Sequence, residues 1–385
     1  MALHINATPK LSGVELVSYQ PSQGTTPKIH PWVSDLESKV IRGEAAYRAA
    51  KEMKRGGFNP DVIVAHPGWG ESLFLKDVWP KANLGIYCEY YYQAEAGDVN
   101  FDPEFPGDED AASRIRLKNA FYLLQMGDVK AGLSPTHWQR STFPDPFRSR
   151  ISVVHDGIDT NQIRPNPRAT LKLKTSGGSE FELSKNDELI TFVNRNLEPY
   201  RGYHIFMRAL PQILKARPKA RVLIVGGDDA SYGRKPEQIA GSERTVSWKE
   251  IFLNEVRSGL DMSRVHFLGK IPYGQYLCLL QLSTVHVYLT YPFVLSWSLL
   301  EAMSVGCAIV ASDTAPVREV IRHEETGQLV DFFDVQGLAD RVIDLCNAPE
   351  QRQRLGAAAR AFAIEHYDLD KICLPGQLEW VESLA

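Results

Sequence analysis

The chain has 385 residues, 44% of them hydrophobic and 23% charged, with a formal net charge of −4. That is enough for two domains with sizeable cores, and it excludes collagen-like and low-complexity chains. A mildly acidic chain with a pI near 6.2 is a poor partner for bulk nucleic acid, but it leaves room for a local basic patch against a membrane. The five cysteines, Cys88, Cys278, Cys307, Cys346 and Cys373, form no C-x-x-C pair. This speaks against a disulfide framework or a zinc site and fits a reducing cytosol. No apolar run approaches the roughly 18–20 residues of a transmembrane helix. MALHINATPKLSG has no apolar core of the kind a signal peptide carries.

In chain order, short apolar runs alternate with amphipathic stretches, the pattern of α/β architecture with a mostly parallel sheet. Strands are expected at Val14–Tyr19, Asp61–Ala65, Leu84–Tyr90, Ala131–Ser134 and Ile151–His155. Helices are expected at Trp32–Arg55, Gly70–Trp79 and Ser113–Met126. Residues 164–187 are polar, contain prolines and a Gly-Gly-Ser, and read as a linker or surface loop. A second α/β run follows. Its strands are expected at Leu189–Val193, Arg221–Val225, Val265–Leu268, Val285–Leu289 and Ala308–Ser312. Its helices fall at about 204–216, 247–258, Tyr273–Gln281, Ser298–Ser304 and Val317–Arg322, with a polar insertion over about 228–246 and a helical tail over 350–385. Two α/β halves joined by a linker predict a ligand cleft between them.

Five segments carry candidate chemistry. In YPFVLSWSLLEAMSVGCAIVAS, a strand feeds an apolar loop and then a helix with Glu301. A carboxylate placed there can accept hydrogen bonds from vicinal hydroxyls, as in ribose binding, although an ordinary solvated helix glutamate reads equally well. VNRNLEPYRG places Arg195 and Arg201 after a strand, where two guanidinium forks can clamp a diphosphate or simply face solvent. HPGWGE sets His66 at a strand end in a glycine-rich turn. His66 reads as a polar contact, a proton carrier or a structural histidine. Trp69 reads as core or as a stacking platform, and Glu71 as a helix N-terminal acid. CEYYYQAEAGDVNFDPEFP combines five acidic residues with five aromatics, which suits carbohydrate recognition or a packed loop with an acidic rim. VVHDGID reads as a tight turn before the linker. Asp228-Asp229, after Gly226-Gly227, is a weak metal candidate that lacks convergent ligands. Walker A, nucleophile-elbow, H-E-x-x-H, kinase and G-x-G-x-x-G motifs are absent.

Taken in order, RNLEPYRG, VLIVGG, VHFLGKIPYGQYLCLLQLSTVHVYLTYPFVLSWSLLEAMSVGCAIVASDTAPVREVI and ETGQLVDFFD resemble the donor half of the retaining glycosyltransferases of family 4. HPGWGE, EYYYQAEAGDVNFDPEFP and SPTHWQRSTFP resemble the other half in a bacterial subgroup, so the likeness covers about residues 14 to 365. The resemblance implies a GT-B fold: two Rossmann-like α/β domains with parallel sheets facing across a cleft. It places an acceptor-side domain at 1–163, a linker at 164–187, a donor-binding domain at 188–365 and a C-terminal helix at 366–385 crossing back to the first domain. It implies transfer of a sugar from a nucleotide-sugar to a glycan or lipid-linked acceptor with retention of configuration. It needs no metal or cofactor and no nucleic acid, and it is expected in the cytoplasm, at the inner membrane face for a lipid-linked acceptor.

By the same resemblance, Arg195 and Arg201 hold the donor diphosphate, where the family usually has lysine at the second place. Glu301 takes the nucleotide ribose, the backbone of Val294–Trp297 meets the donor, and His66 contacts the transferred sugar. The donor side is completed by Gly226, Phe293, Val294, Leu295 and Ser296, and the acceptor side by Gly68, Trp69, Gly70, Glu71, Glu89 and Glu95. Two departures stand out. Phe293 occupies the place of the first glutamate of the family's E-x7-E pattern, which implies a changed donor contact. The family's first β-α unit is not seen before Val14, which makes a catalytically impaired nucleotide- or glycan-binding homologue the main alternative. A phosphorylase or epimerase on a similar fold is less well supported, because no context for a pyridoxal phosphate lysine is present.

Overall fold

The computed structural model describes residues 2–4, 12–95, 97–174, 180–236 and 246–385. The chain divides into two compact units, Met1–His155 with Leu374–Ala385, and Asp156–Cys373. Most of MALHINATPKLSG, and residues 237–245 of the polar insertion, lie outside the described residues.

The first unit is built on a four-stranded parallel sheet, β3-β4-β5-β6, after a separate parallel pair of β1 (Ala2–His4) and β2 (Leu16–Ser18). Its strands are β3 (Val62–Ala65), β4 (Asn83–Tyr87), β5 (Val129–Ser134) and β6 (Ile151–Val153). The long helix Ser34–Arg55 opens with Asp35 and Glu37 and closes with Lys54 and Arg55, charges that complement its dipole. It buries Ile41, Ala45, Ala46 and Ala50. The core joins Ile63, Leu84 and Ile86 to Phe121, Tyr122 and Phe143. The helix Leu374–Glu382 belongs to this unit and buries Trp380, which packs with Leu133 and Leu384.

Two expected helices differ. In place of one over 70–79 there is a 3-10 turn, Pro67–Trp69, and a short helix, Leu75–Val78. Between them Gly70 is left-handed (φ +98°), and a Cβ there would lie 2.3 Å from the carbonyl oxygen of Lys39. The turn is pressed against the long helix, and glycine is what lets it fit. The helix expected over 113–126 is two, Ala111–Lys118 and Ala120–Gln125. At their junction the Asn119 amide donates to the Tyr92 carbonyl (2.7 Å) and accepts from its N–H (3.0 Å).

The second unit holds a hairpin and a six-stranded parallel sheet. The region expected as a linker, 164–187, contains an antiparallel pair, β7 (Leu171–Lys174) and β8 (Glu180–Leu183). Leu171 and Leu183 are buried in this unit's core. The alternation LKLK and EFEL has a period of two, so one face of the hairpin is apolar despite its polar composition. The large sheet comprises β9 (Leu189–Asn196), β10 (Arg221–Gly227), β11 (Val265–Gly269), β12 (Val285–Tyr288), β13 (Ile309–Ser312) and β14 (Gln328–Val330). Their spatial order is β11-β10-β9-β12-β13-β14, the doubly wound arrangement whose order reverses between β9 and β12. Residues 189–193 are buried without a break, as expected of a central strand covered on both faces.

Candidate active site

In doubly wound sheets, ligands bind beyond the carboxyl ends of the strands at the reversal point. Here the end of β9 carries Arg195 and the loop after it carries Arg201, and β12 ends in the loop leading to the helix Trp297–Ser304, which carries Glu301. The topology therefore brings the two strongest donor-side segments to adjacent strand ends.

The two arginines differ. Arg195 is exposed at the end of β9. Arg201 is 6% exposed. Its Nη1 donates to Thr290 Oγ1 at 2.7 Å and to the Val294 carbonyl at 3.2 Å. The guanidinium carbon lies 5.1 Å from the Tyr232 ring and 5.8 Å from that of Phe293. Arg201 thus braces the loop after β12. Gly202 follows with φ +68°, and a Cβ there would fall 2.3 Å from that of Leu289.

Between the arginines lies Glu198, a buried carboxylate that sequence reasoning missed. It accepts from the backbone N–H groups of Ser231 (3.0 Å), Tyr232 (3.2 Å) and Gly233 (3.4 Å). Burial raises its pKa, and these amides and Arg201 offset part of that. Asn196 Nδ2 donates to Ser231 Oγ at 2.7 Å. The loop after β10 is thereby tied to the end of β9. The signal in the sequence is an acid inside a basic loop. Gly226 serves packing in the same place, since a Cβ there would lie 2.7 Å from Leu197 Cδ2.

The apolar loop is less open than expected. Phe293 and Leu295 are 3% and 7% exposed. The Phe293 ring packs against Tyr232 (centroids 4.9 Å apart) and Tyr200 (5.5 Å). The Val294 carbonyl is held by Arg201, and the Ser296 N–H donates to Tyr288 Oη at 3.1 Å. Ser296 Oγ caps the helix by accepting from the Ser298 N–H. Trp297 is exposed, and its Nε1 donates to Asp156 Oδ2 at 2.8 Å.

Glu301 is buried, which overturns the solvated-glutamate reading. Its two oxygens accept from different phenols, Oε1 from Tyr273 and Oε2 from Tyr276, both at 2.6 Å. Burial, and then the carboxylate itself, holds both phenols protonated far above neutral pH. Asp228 and Asp229 face Lys249 and Lys235 as exposed ion pairs, each at 3.2 Å.

In the first unit His66 ends β3 and caps the turn Pro67–Trp69. Its Nδ1 accepts from the Gly68 N–H at 3.2 Å. The ring proton of the neutral side chain then sits on Nε2, which lies 3.3 Å from Glu89 Oε2. The ring stacks on Tyr87 with centroids 5.5 Å apart. Two residues from separate motifs meet here because β3 and β4 are neighbours. A Cβ on Gly68 would come within 2.7 Å of the His66 ring. Trp69 is exposed beneath Arg42, whose guanidinium carbon is 5.2 Å from its ring. Glu71 accepts from Tyr19 Oη at 2.5 Å, which ties it to the loop after β2. Glu95 is exposed. The aromatic-acidic segment is largely packed. Tyr90 donates to the buried Asp98 at 2.9 Å and stacks on Trp138 with centroids 5.6 Å apart. Glu89 and Glu95 are among its exposed residues.

Residues 1–163 match the profile of the glycosyl transferase family 4 group, and residues 179–362 that of glycosyl transferases group 1. The two profiles between them match both halves of the chain. Among curated relatives, this chain is 24% identical over 236 residues to a GDP-mannose-dependent alpha-(1-6)-phosphatidylinositol monomannoside mannosyltransferase of Mycolicibacterium smegmatis; the match covers 60% of this chain and 57% of that one. It is 25% identical over 214 residues to a D-inositol 3-phosphate glycosyltransferase of Rhodococcus jostii, covering 55% and 43%. The chain thus spans about half the length of the curated relatives it matches. Among solved structures, it resembles Anabaena HepE in complex with UDP-glucose, with a TM-score of 0.64, 18% identity and coverage of 89% and 82%. It also resembles sucrose-phosphate synthase from Thermosynechococcus elongatus, with a TM-score of 0.66, 17% identity and coverage of 96% and 84%. The fold is α/β GT-B.

Proposed function

We propose that the protein transfers a sugar from a nucleotide-sugar to a glycan or lipid-linked acceptor with retention of configuration, in cell-surface polysaccharide or glycolipid assembly. The observation that carries this is the buried carboxylate of Glu301 beside the reversal point of the sheet, with the exposed Arg195 at the end of the adjacent strand. Glu301 accepts the ribose hydroxyls, and Arg195 meets the diphosphate. The nucleotide-sugar named with the mannosyltransferase relative, and the UDP-glucose bound in HepE, support a donor of this class.

In the proposed reaction the acceptor hydroxyl attacks the anomeric carbon on the face the diphosphate leaves. The bond from that carbon to the diphosphate oxygen breaks, and a diphosphate oxygen takes the hydroxyl proton. The protein contributes position and positive charge where negative charge gathers, and this reading calls for no metal or cofactor. His66, whose Nε2 faces Glu89, offers a polar contact to the transferred sugar.

Thermal shift with UDP, GDP, ADP and TDP tests the reading. A nucleotide that binds only the folded state raises the melting temperature. One of the four is expected to do so, and Arg195→Ala and Glu301→Ala to shrink the effect. No shift with any of them, on a cooperatively folded protein, overturns the proposal. A shift without sugar turnover moves the chain to the class of binding homologues.

A further inference from the structure

Glu301 is held from two sides. Tyr273 and Tyr276 lie on the helix Tyr273–Leu282, three residues apart and so on one face, with ring centroids 5.7 Å apart. Each gives its hydroxyl to a different carboxylate oxygen at 2.6 Å. Tyr276 is buried beneath the carboxylate, whereas Tyr273 is 54% exposed beside it.

A carboxylate offers about two acceptor positions per oxygen. One phenol on each oxygen leaves one acceptor position on each. That is the demand of a vicinal diol, whose two hydroxyls must be accepted together. A glutamate also has three rotatable bonds, and two phenols fix the pose before any ligand arrives, so the ordering cost falls on folding and not on binding.

We propose that Tyr273 and Tyr276 are positioning residues that set Glu301 to accept both ribose hydroxyls, and so make the site selective for ribonucleotides over 2′-deoxyribonucleotides. This rests on the nucleotide-sugar reading above.

The test is isothermal titration of the full chain, Tyr273→Phe and Tyr276→Phe with the nucleoside diphosphate that gives the thermal shift and with its 2′-deoxy form. The unsubstituted protein is expected to prefer the ribonucleotide by about tenfold or more, the worth of one hydrogen bond to a charged acceptor. Each variant is expected to lower ribonucleotide affinity several-fold and deoxynucleotide affinity, which keeps only the 3′-hydroxyl contact, by less, so that the ratio shrinks. A fold lesion would weaken both ligands alike, and the exposed Tyr273 provides a variant whose melting temperature should not move. A ratio unchanged in both variants, or an equal loss for both ligands in Tyr273→Phe, overturns the tyrosine assignment while the donor site stands. Absence of binding by the unsubstituted protein overturns both readings.

Discussion

At the scale of single residues, Arg195 and Arg201 separate. Both read as basic groups in one loop, but only one faces solvent. Arg201→Ala should lower stability by about 2 kcal/mol in urea unfolding, because Thr290 Oγ1 and the Val294 carbonyl lose a charged donor. Arg195→Ala should leave stability unchanged and weaken nucleotide binding about tenfold or more, the value of a charge-assisted contact. Equal melting curves for the two variants would refute this division of roles. The sequence made the charge of both residues legible but not the burial, because burial is imposed by the loop after β12, some ninety positions later. Glu198 shows the same limit. Its three amide donors come from residues 231–233, and no spacing within RNLEPYRG announces them. Glu198→Ala should cost roughly 1–3 kcal/mol through the loss of its backbone hydrogen bonds to a charged acceptor. Limited proteolysis should then cut the loop after β10 sooner.

At the scale of elements, the parallel strands were legible as apolar runs, and the hairpin β7–β8 was hidden by the lysines and glutamates on its outer face. β12 carries a further consequence. His286 is buried in this strand, and its Nδ1 is paired with Thr191 Oγ1 at 2.9 Å. Burial pushes its pKa down to about 4 from the ordinary 6.5. Above pH 6.5 the ring is neutral in both the folded and the unfolded chain. Between 6.5 and 4 the unfolded chain binds a proton that the folded one refuses, so stability falls as pH falls, by about 3 kcal/mol across the window. His286→Leu should flatten that stretch of the stability profile, whatever it does at pH 8, since Thr191 keeps its bond to Ser283 Oγ at 2.7 Å. A variant profile as steep as the parent's would place the acid sensitivity elsewhere. Gly202→Ala is a second test at this scale. A left-handed residue pressed on Leu289 should tolerate no Cβ, and the loss should exceed the ~1 kcal/mol by which alanine normally improves on glycine in a helix.

At the scale of the whole molecule, the doubly wound order of the second unit explains why donor-side motifs lying about a hundred residues apart were legible together. Each is the exit of a strand, and the topology sets those strands side by side. The completion of the first unit is not local, and only the family resemblance, not any spacing of its own residues, announced the returning C-terminal helix. Residues 374–385 return to it, and Trp380 and Leu384 press so closely on β4 that a Cβ on Gly85 would lie 2.4 Å from Leu384 Cδ1. Lys130 Nζ fastens the same segment through the Leu384 carbonyl at 2.9 Å. Gly85→Val should therefore destabilise the first unit and leave the melting of the second in place, as calorimetry would resolve. On the ribosome this inverts the order of the chain. The unit that begins to emerge first cannot close its core until all of Asp156–Cys373 has been made, so the later unit can mature while the earlier one still waits for a final strap.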